Sequence, residues 1–242
     1  VKLMITGGVL DAKEKGVPGE MKMPEDMIQT ICKKAHQLGL LTSAHVESTE
    51  GVKAALRNGV DSIEHGAKPD QEMMELFKEK KAFLITTLSP ALPFALFDPS
   101  VSKVDDTQLF NGKMVFDGIV ECSKAALENH IPVGLGNDVG CPWITQYDFY
   151  RELVYFHKYV GVTNGFAIYT ATLQNAILAG ISDITGSIDA GKQADMIVVK
   201  ENPLDDLNAL KNIELVFTKG KMVHPRIKRD KEIEQRLDVF CK

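Results

Sequence analysis

The segment LLTSAHVESTEGVKAALRNGVDSIEHG (40–66) contains the repeating unit on which the fold prediction depends. Its apolar run at 40–45 predicts a strand, 49–59 predicts a helix that ends at Gly59, and 60–65 predicts a second short strand. A strand, a helix and a strand joined by short connections are typical of a parallel βαβ unit. This stretch therefore favours an α/β fold.

Similar units precede and follow this segment, with further strands predicted at 1–6, 82–87 and 131–137. Helices are predicted at 24–39, 69–81, 112–129, 145–159 and 163–180. A long loop that contains prolines is predicted at 88–111. No glycine-rich phosphate loop follows any strand, which removes the usual support for a nucleotide-binding sheet. Five parallel strands with polar residues at their ends favour part of a (β/α)8 barrel.

The alternation of strands and helices stops near residue 181. The segment 187–204 contains the β-branched run MIVV, and 213–223 predicts a hairpin with Lys219 and Gly220 at its turn. We therefore predict a barrel region at 1–182, part of a small C-terminal β-sandwich at 183–223, and a charged tail at 224–242, for which a solvated or partner-contacting helix is the default interpretation.

Composition excludes several classes of function. The chain has 242 residues, with 28 basic and 33 acidic side chains and a formal charge of -5. No basic cluster of the kind that follows a phosphate backbone occurs before the extreme C-terminus, so no nucleic acid partner is expected. The longest apolar stretch, 82–97, is interrupted by Pro90 and Pro93, so no membrane association is expected. Four cysteines without paired spacing predict reduced thiols and a cytoplasmic location.

Reactive side chains lie at the ends of several predicted strands. His45 and His65 each end a strand, and Asp138 ends the last one, whereas Lys2 lies within the first. Neighbouring parallel strands are about 5 Å apart, so the two imidazoles are able to share one metal ion. The alternative is that both histidines bond to carbonyl groups at the strand ends. Three matching strand ends favour the metal site.

Five short motifs occur in an order that is specific to one family. They are VKLMITGG (1–8), AH (44–45), SIEHG (62–66), GND (136–138) and TGSIDAGKQADMIVV (185–199). Together they resemble the amidohydrolase superfamily of metal hydrolases, in particular its imidazolonepropionase-like and prolidase-like (dipeptidase) branch. The resemblance covers residues 1–223. It implies a TIM-type (β/α)8 barrel, of which this chain would carry strands 4–8 and part of a β-sandwich.

The resemblance also implies a role for each reactive residue. His45 and His65 would bind one metal, and Asp138 would contact that metal and act as the general base toward water. Lys2 would be carboxylated and bridge two metals, because a free ammonium group has no lone pair to donate. An ordinary ionised lysine is the alternative for Lys2. The implied cofactor is one or two divalent ions, with zinc as the first choice.

The function implied by the resemblance is hydrolysis of an amide or peptide bond in a small substrate, such as a dipeptide or an N-acyl amino acid, by metal-activated water. One alternative is a cyclic amide (imidazolone-type) ring hydrolase with a single metal. Another is a catalytically silent fragment that requires an N-terminal partner segment. Lys2 favours the first possibility, since a bridging lysine implies two metals.

The sequence departs from the family pattern in one respect that concerns assembly. The family carries an H-x-H pair at the end of the first barrel strand, and the 242 residues contain no such pair. We therefore expect the C-terminal portion of a longer enzyme, completed by an N-terminal segment. A short relative that closes its core as a homo-oligomer is the alternative.

Two further residues are weaker candidates for substrate binding. Glu47 stands two positions after His45, where many dipeptidase-like relatives carry a second histidine; it would favour a cationic substrate group or be a solvated loop acid. Trp143 lies in the loop VGCPWITQ (139–146), just after Asp138. It would line a pocket at the barrel mouth or pack against the barrel rim.

Overall fold

The computed structural model describes all residues from 1 to 242. The chain forms two compact units, Val1–Val133 and Gly134–Lys242, which are described separately. The proposed boundaries at 182 and 223 remain predictions. None of the helices is both long enough and apolar enough to cross a lipid bilayer.

The first unit alternates strands and helices as the sequence predicts. Its elements are β1 (Lys2–Met4), α1 (Glu25–Gln37), β2 (Ser43–Val46), α2 (Thr49–Arg57), β3 (Ser62–His65), α3 (Gln71–Lys80), β4 (Phe83–Thr86), α4 (Leu88–Leu96), α5 (Pro99–Ser102) and α6 (Asp106–Glu128). The chain then enters β5 (Val133–Leu135) at the last residue of this unit.

The strands form a sheet whose order follows the chain, β1-β2-β3-β4-β5, and the strands from β1 to β4 pair in parallel. At the entry to β5, the Leu84 N–H donates to the Pro132 carbonyl at 3.0 Å, which extends the hydrogen-bonding pattern. Sequential strands that are parallel require a crossover between each pair, and the helices provide it. The predicted α/β fold with a parallel sheet is confirmed.

The two faces of this sheet differ in chemistry. One face carries a buried apolar row in register across the strands: Leu3, Ala44, Ile63 and Leu84. Helix α2 covers this face, because a Cβ added at its Gly51 would lie 2.7 Å from a methyl carbon of Val46. The opposite face therefore carries the alternate residues of each strand, which include Lys2 and His45.

The prediction of a loop over 88–111 was wrong, because helix α4 lies within it. Pro90 is tolerated in the first turn, where backbone N–H groups have no partner within the helix. Pro93 removes one further hydrogen bond. Eight of the nine residues of α4 are buried, so burial of this apolar segment outweighs the low helix propensity of proline.

Helix α6 begins at Asp106, six residues before the predicted start at 112. Its N-terminus is a capping box, in which the Asp105 carboxylate accepts from the Gln108 N–H at 2.8 Å and the Gln108 side chain accepts from the Asp105 N–H at 3.1 Å. Helix α4 contacts α6 at Gly112, where an added Cβ would lie 2.8 Å from the Phe94 Cβ and 2.9 Å from its carbonyl oxygen.

The second unit consists of helical segments, a small sheet and a C-terminal helix. Its elements are α7 (Tyr150–Tyr155), a π-helix (Phe156–Val160), α8 (Asn164–Tyr169), a second π-helix (Thr170–Gln174), α9 (Asn175–Leu178), β6 (Met196–Val199), a 3-10 helix (Leu207–Lys211), β7 (Ile213–Thr218), β8 (Lys221–Val223), α10 (Lys231–Asp238) and a final 3-10 turn (Val239–Cys241).

The small sheet is antiparallel, in the order β6-β7-β8. Lys219 and Gly220 connect β7 to β8, and both have positive φ angles, 52° and 75°. Two central residues with positive φ match the twist of a two-residue hairpin. The predicted hairpin and its turn are confirmed.

We expect Gly112→Ala to destabilise the protein by about 1–3 kcal/mol, because its methyl group would meet the Phe94 backbone. Gly165→Ala is the matched control in helix α8, since an added Cβ there lies 3.6 Å from Leu204, an ordinary contact. Urea unfolding followed by circular dichroism measures both variants. Equal stabilities for the two variants would contradict the close contact between α4 and α6.

Candidate metal centre

His45 lies in the middle of a parallel sheet. It is the third residue of β2, in register with Met4 on one side and Glu64 on the other. Its neighbours in the strand, Ala44 and Val46, are fully buried on the face covered by helices. Strand alternation therefore directs the His45 side chain to the opposite face.

His65 reaches the same place through an unusual backbone conformation. It ends β3 in register with Val46, so a regular strand would direct it to the helix-covered face. Its φ angle of 69° is left-handed, which is uncommon for a residue other than glycine. The imidazole lies edge-on to His45, with ring centroids 4.6 Å apart and planes at 72°. The turned backbone thus accounts for the pairing of two histidines from positions of opposite parity.

Glu47 completes a group of three side chains that could hold a metal ion. One ring nitrogen from each of His45 and His65 and one carboxylate oxygen of Glu47 lie within 4.8 Å of one another. Ligand atoms around one tetrahedral zinc ion are about 3.4 Å apart, given zinc–nitrogen bonds near 2.0–2.1 Å. Small side-chain rotations would therefore bring these three atoms to coordination distance. The sequence singled out Glu47 for the substrate, whereas the structure also places it beside both imidazoles.

Burial determines the charge state of His65. The residue is 3% exposed, and burial lowers its pKa well below the ordinary value, with a smaller lowering from electrostatic interaction with His45 and Lys2. His65 is therefore neutral near pH 7. A neutral imidazole has the lone pair that a metal ligand must donate.

Lys2 is on the same face of the sheet as His45, because it alternates with Leu3 and is two positions from Met4. Its ammonium nitrogen is 4.0 Å from the Glu64 carboxylate, and its side chain is 45% exposed. The unmodified lysine thus forms an ion pair with a carboxylate. Its carboxylation remains a prediction.

Glu64 is a residue that sequence reasoning missed. Its carboxylate faces Lys2, and its second oxygen accepts from the Ser62 hydroxyl at 3.0 Å. The motif SIEHG (62–66) already indicated part of this arrangement, because Glu64 is two residues after Ser62 and therefore lies on the same face of the strand as Ser62. Only the register, which places Glu64 beside His45, shows that it belongs to this face.

The backbone after β1 lies directly against the cluster. A Cβ at Gly8 would be 3.1 Å from the Glu47 carboxylate and 3.5 Å from the Nε2 atom of His45. The Glu47 N–H donates to the Thr6 hydroxyl at 3.0 Å, which ties the end of β2 to the same segment. Gly8 therefore leaves space that a side chain would reduce. Sequence analysis missed this role, although Gly8 belongs to the quoted motif VKLMITGG.

Asp138 lies in the second unit, in the turn that follows β5. Its backbone is left-handed, with φ of 48°, and the Cys141 thiol donates to its carboxylate at 3.2 Å. The Cys141 N–H also donates to the Asp138 carbonyl at 3.3 Å. These bonds hold the carboxylate within a tight turn. The role of Asp138 as a general base and metal ligand remains a prediction.

Trp143 contacts the C-terminal segment within the second unit. The Arg236 guanidinium lies 5.8 Å from the centre of the indole ring, and Arg229 lies 5.3 Å from the Tyr147 ring. The Asp230 N–H donates to the Tyr147 hydroxyl at 2.6 Å. Most of residues 224–236 are exposed and helix α10 lies in this segment, so the assignment of 224–242 as a charged tail remains a prediction. A substrate-binding role for Trp143 remains a prediction.

Buried Arg151 anchors the same C-terminal segment. Its guanidinium donates to Asp148 at 3.2 Å and to Asp238 of α10 at 2.8 Å. Despite desolvation, its pKa lies above the ordinary value, because neighbouring groups that include Tyr150 and Asp238 favour the charged form. A buried, paired cation of this kind explains why a highly charged sequence docks on its own unit.

The fold and the cluster together define an α/β protein with a candidate metal centre at one face of a parallel sheet. Residues 3–223 match the model of the amidohydrolase family. The chain therefore belongs to the amidohydrolase family.

Individual proteins that are similar to this chain include an ochratoxinase and two prolidase-like proteins. The chain is 27% identical over 227 residues to ochratoxinase from Aspergillus niger, covering 92% of this chain and 45% of that protein. A "putative prolidase" from Bifidobacterium longum is 38% identical with a TM-score of 0.92, covering 99% of this chain and 59% of that one. A Xaa-Pro dipeptidase with methionine in its active site is 28% identical with a TM-score of 0.79, covering 93% and 54%. The chain thus spans about half the length of these relatives.

We expect Arg236→Gln to increase quenching of Trp143 fluorescence by acrylamide, because the substitution removes the cation that lies over the indole ring. Trp143 is the single tryptophan, so the emission reports on this site alone. Arg226→Gln is the control, since Arg226 is an exposed arginine of the same segment. An identical quenching constant in both variants would contradict the contact.

Proposed function

We propose that this chain forms the metal-binding half of an amide hydrolase, as strands 4–8 of a partial (β/α)8 barrel with part of a β-sandwich. The observation that carries the proposal is the group of His45, Glu47 and His65 beside parallel strands of a chain that belongs to the amidohydrolase family. Active sites of such barrels lie at the carboxyl ends of their strands. Both histidines approach that end in β2 and β3.

The donor set fits a divalent metal. Two imidazoles and one carboxylate are ligands that zinc accepts, and the neutral state of His65 leaves its lone pair available. His45, Glu47 and His65 would hold the ion, and Lys2 would join them once carboxylated. A bound divalent metal supplies Lewis acidity toward a carbonyl oxygen and lowers the pKa of water.

The chain's own residues would then supply acid–base and positioning roles. Asp138 would accept a proton from water and pass it to the leaving amine. The hydrogen bond that its carboxylate accepts from the Cys141 thiol would orient it for this proton transfer. Glu64 would hold Lys2 in place through the contact at 4.0 Å. Trp143 would line the substrate pocket.

The substrate that we propose is a dipeptide or an N-acyl amino acid. Similarity to a Xaa-Pro dipeptidase and to a "putative prolidase" supports this class of amide. Glu47 has two potential uses here, as a metal ligand or as the partner of a cationic group on the substrate. Its distance of no more than 4.8 Å from a ring nitrogen of each histidine favours the first.

Two alternatives are distinguished by metal content. A cyclic amide ring hydrolase would use one ion, whereas carboxylated Lys2 as a bridge implies two. A catalytically silent chain would bind none until an N-terminal segment or a second copy completes the barrel. The coverage of about half of each relative favours such a completing segment as the partner.

We expect His65→Asn to abolish tight binding of zinc, because asparagine tolerates the left-handed backbone but supplies no imidazole nitrogen. Zinc content after dialysis, measured by mass spectrometry, tests this expectation. His224→Asn is the matched control, since His224 is exposed outside the cluster. Unchanged zinc content in His65→Asn would refute the metal site.

We expect Asp138→Asn to lower turnover by about 10²–10⁴-fold while zinc stays bound by the histidines, because the amide cannot accept a proton. Hydrolysis of a dipeptide panel by the complete enzyme that contains this chain measures the effect. Asp183→Asn, at an exposed aspartate of the same unit, is the control. Wild-type turnover in Asp138→Asn would remove Asp138 as the general base.

A further inference from the structure

A short hydrogen bond joins His65 to the residue that follows β4. The Nδ1 atom of His65 is 2.6 Å from the Thr87 hydroxyl, and both side chains are 3% exposed. Thr87 directly follows the last residue of β4 and has left the strand conformation, with φ of -142° and ψ of 72°. The bond therefore links the ends of two neighbouring strands, 22 residues apart in sequence.

This bond determines which nitrogen of His65 is available. Because Nδ1 faces Thr87, only Nε2 remains for a ligand. A threonine hydroxyl can accept from an Nδ1–H group, which leaves the lone pair on Nε2. In a metal-binding histidine, the hydrogen-bond partner of the ring nitrogen that does not bind the metal normally fixes the tautomer and orientation of the ring.

We propose that Thr87 is a positioning residue that holds the His65 ring with Nε2 directed toward the candidate metal centre. This inference rests on the proposed function of His45, Glu47 and His65 as metal ligands. In the metal-bound protein the hydroxyl accepts the Nδ1 proton, so the ring keeps a single orientation and tautomer. Without that hydroxyl, a buried Nδ1–H would lose its partner and the ring would lose its preferred orientation.

The neighbouring residue provides a matched control. Thr86 is also fully buried, but its hydroxyl is 2.8 Å from that of Ser123 and belongs to the opposite side of β4. Replacing either threonine by valine removes one hydroxyl and keeps the side-chain shape. A general effect of losing a buried hydroxyl would therefore appear in both variants, and a positioning effect only at Thr87.

The experiment compares Thr87→Val, Thr87→Ser and Thr86→Val with the wild-type chain in two measurements. Nitrogen NMR of chain labelled with ¹⁵N-histidine, without metal, reports the protonation of each ring nitrogen of His65. Titration with Co²⁺, followed by its visible absorption, reports affinity. We expect Thr87→Val to change the His65 nitrogen shifts and to weaken Co²⁺ binding about 10–100-fold. Thr87→Ser and Thr86→Val should match the wild type.

Three results would overturn the proposal: unchanged nitrogen shifts in Thr87→Val, wild-type Co²⁺ affinity in that variant, or an equal loss of affinity in Thr86→Val. Failure of the proposed function looks different, because the wild-type chain itself would then take up no Co²⁺. In that case the NMR comparison of the metal-free chains still decides whether Thr87 holds the His65 ring.

Discussion

The left-handed backbone of His65 at the end of a parallel strand is the constraint on which the candidate centre depends. Parallel register pairs His45 with Glu64 and pairs His65 with Val46, so regular alternation would separate the two imidazoles onto opposite faces. The φ angle of 69° brings their ring centroids to 4.6 Å. Such a conformation costs about 1–3 kcal/mol and persists only where the surroundings enforce it.

The surroundings that enforce this conformation are apolar packing and one buried hydrogen bond. Gly66, directly after His65, also has a positive φ, and an added Cβ there would be 3.0 Å from both the Cys122 sulfur and a Leu84 methyl carbon. A glycine is therefore required for the chain to pass over α6. Burial in this region favours the neutral imidazole of His65, and the Thr87 hydroxyl forms a hydrogen bond with its Nδ1 atom.

In the second unit, the charged C-terminal segment likewise combines buried side chains with paired polar groups. Its C-terminal residues are densely charged, yet Leu237 and Cys241 are buried and Arg151 binds Asp238. Charged residues at this density usually indicate a solvated segment, because desolvation of an unpaired charge is costly. Here pairing of the buried guanidinium with two carboxylates offsets that cost, and arginines of the segment stack on Trp143 and Tyr147.

The sequence by itself determined the order of strands and helices, the hairpin at Lys219, the family, and the placement of His45 and His65 on neighbouring strands, because periodicity and turn residues act over short distances. Tertiary structure alone decided that 88–96 is a helix and that Glu47 and Thr87 reach the histidines. Those outcomes depend on burial and on strand register between residues far apart in the chain. No local sequence pattern specifies the left-handed backbone of His65, which directs its side chain to the other face of the sheet.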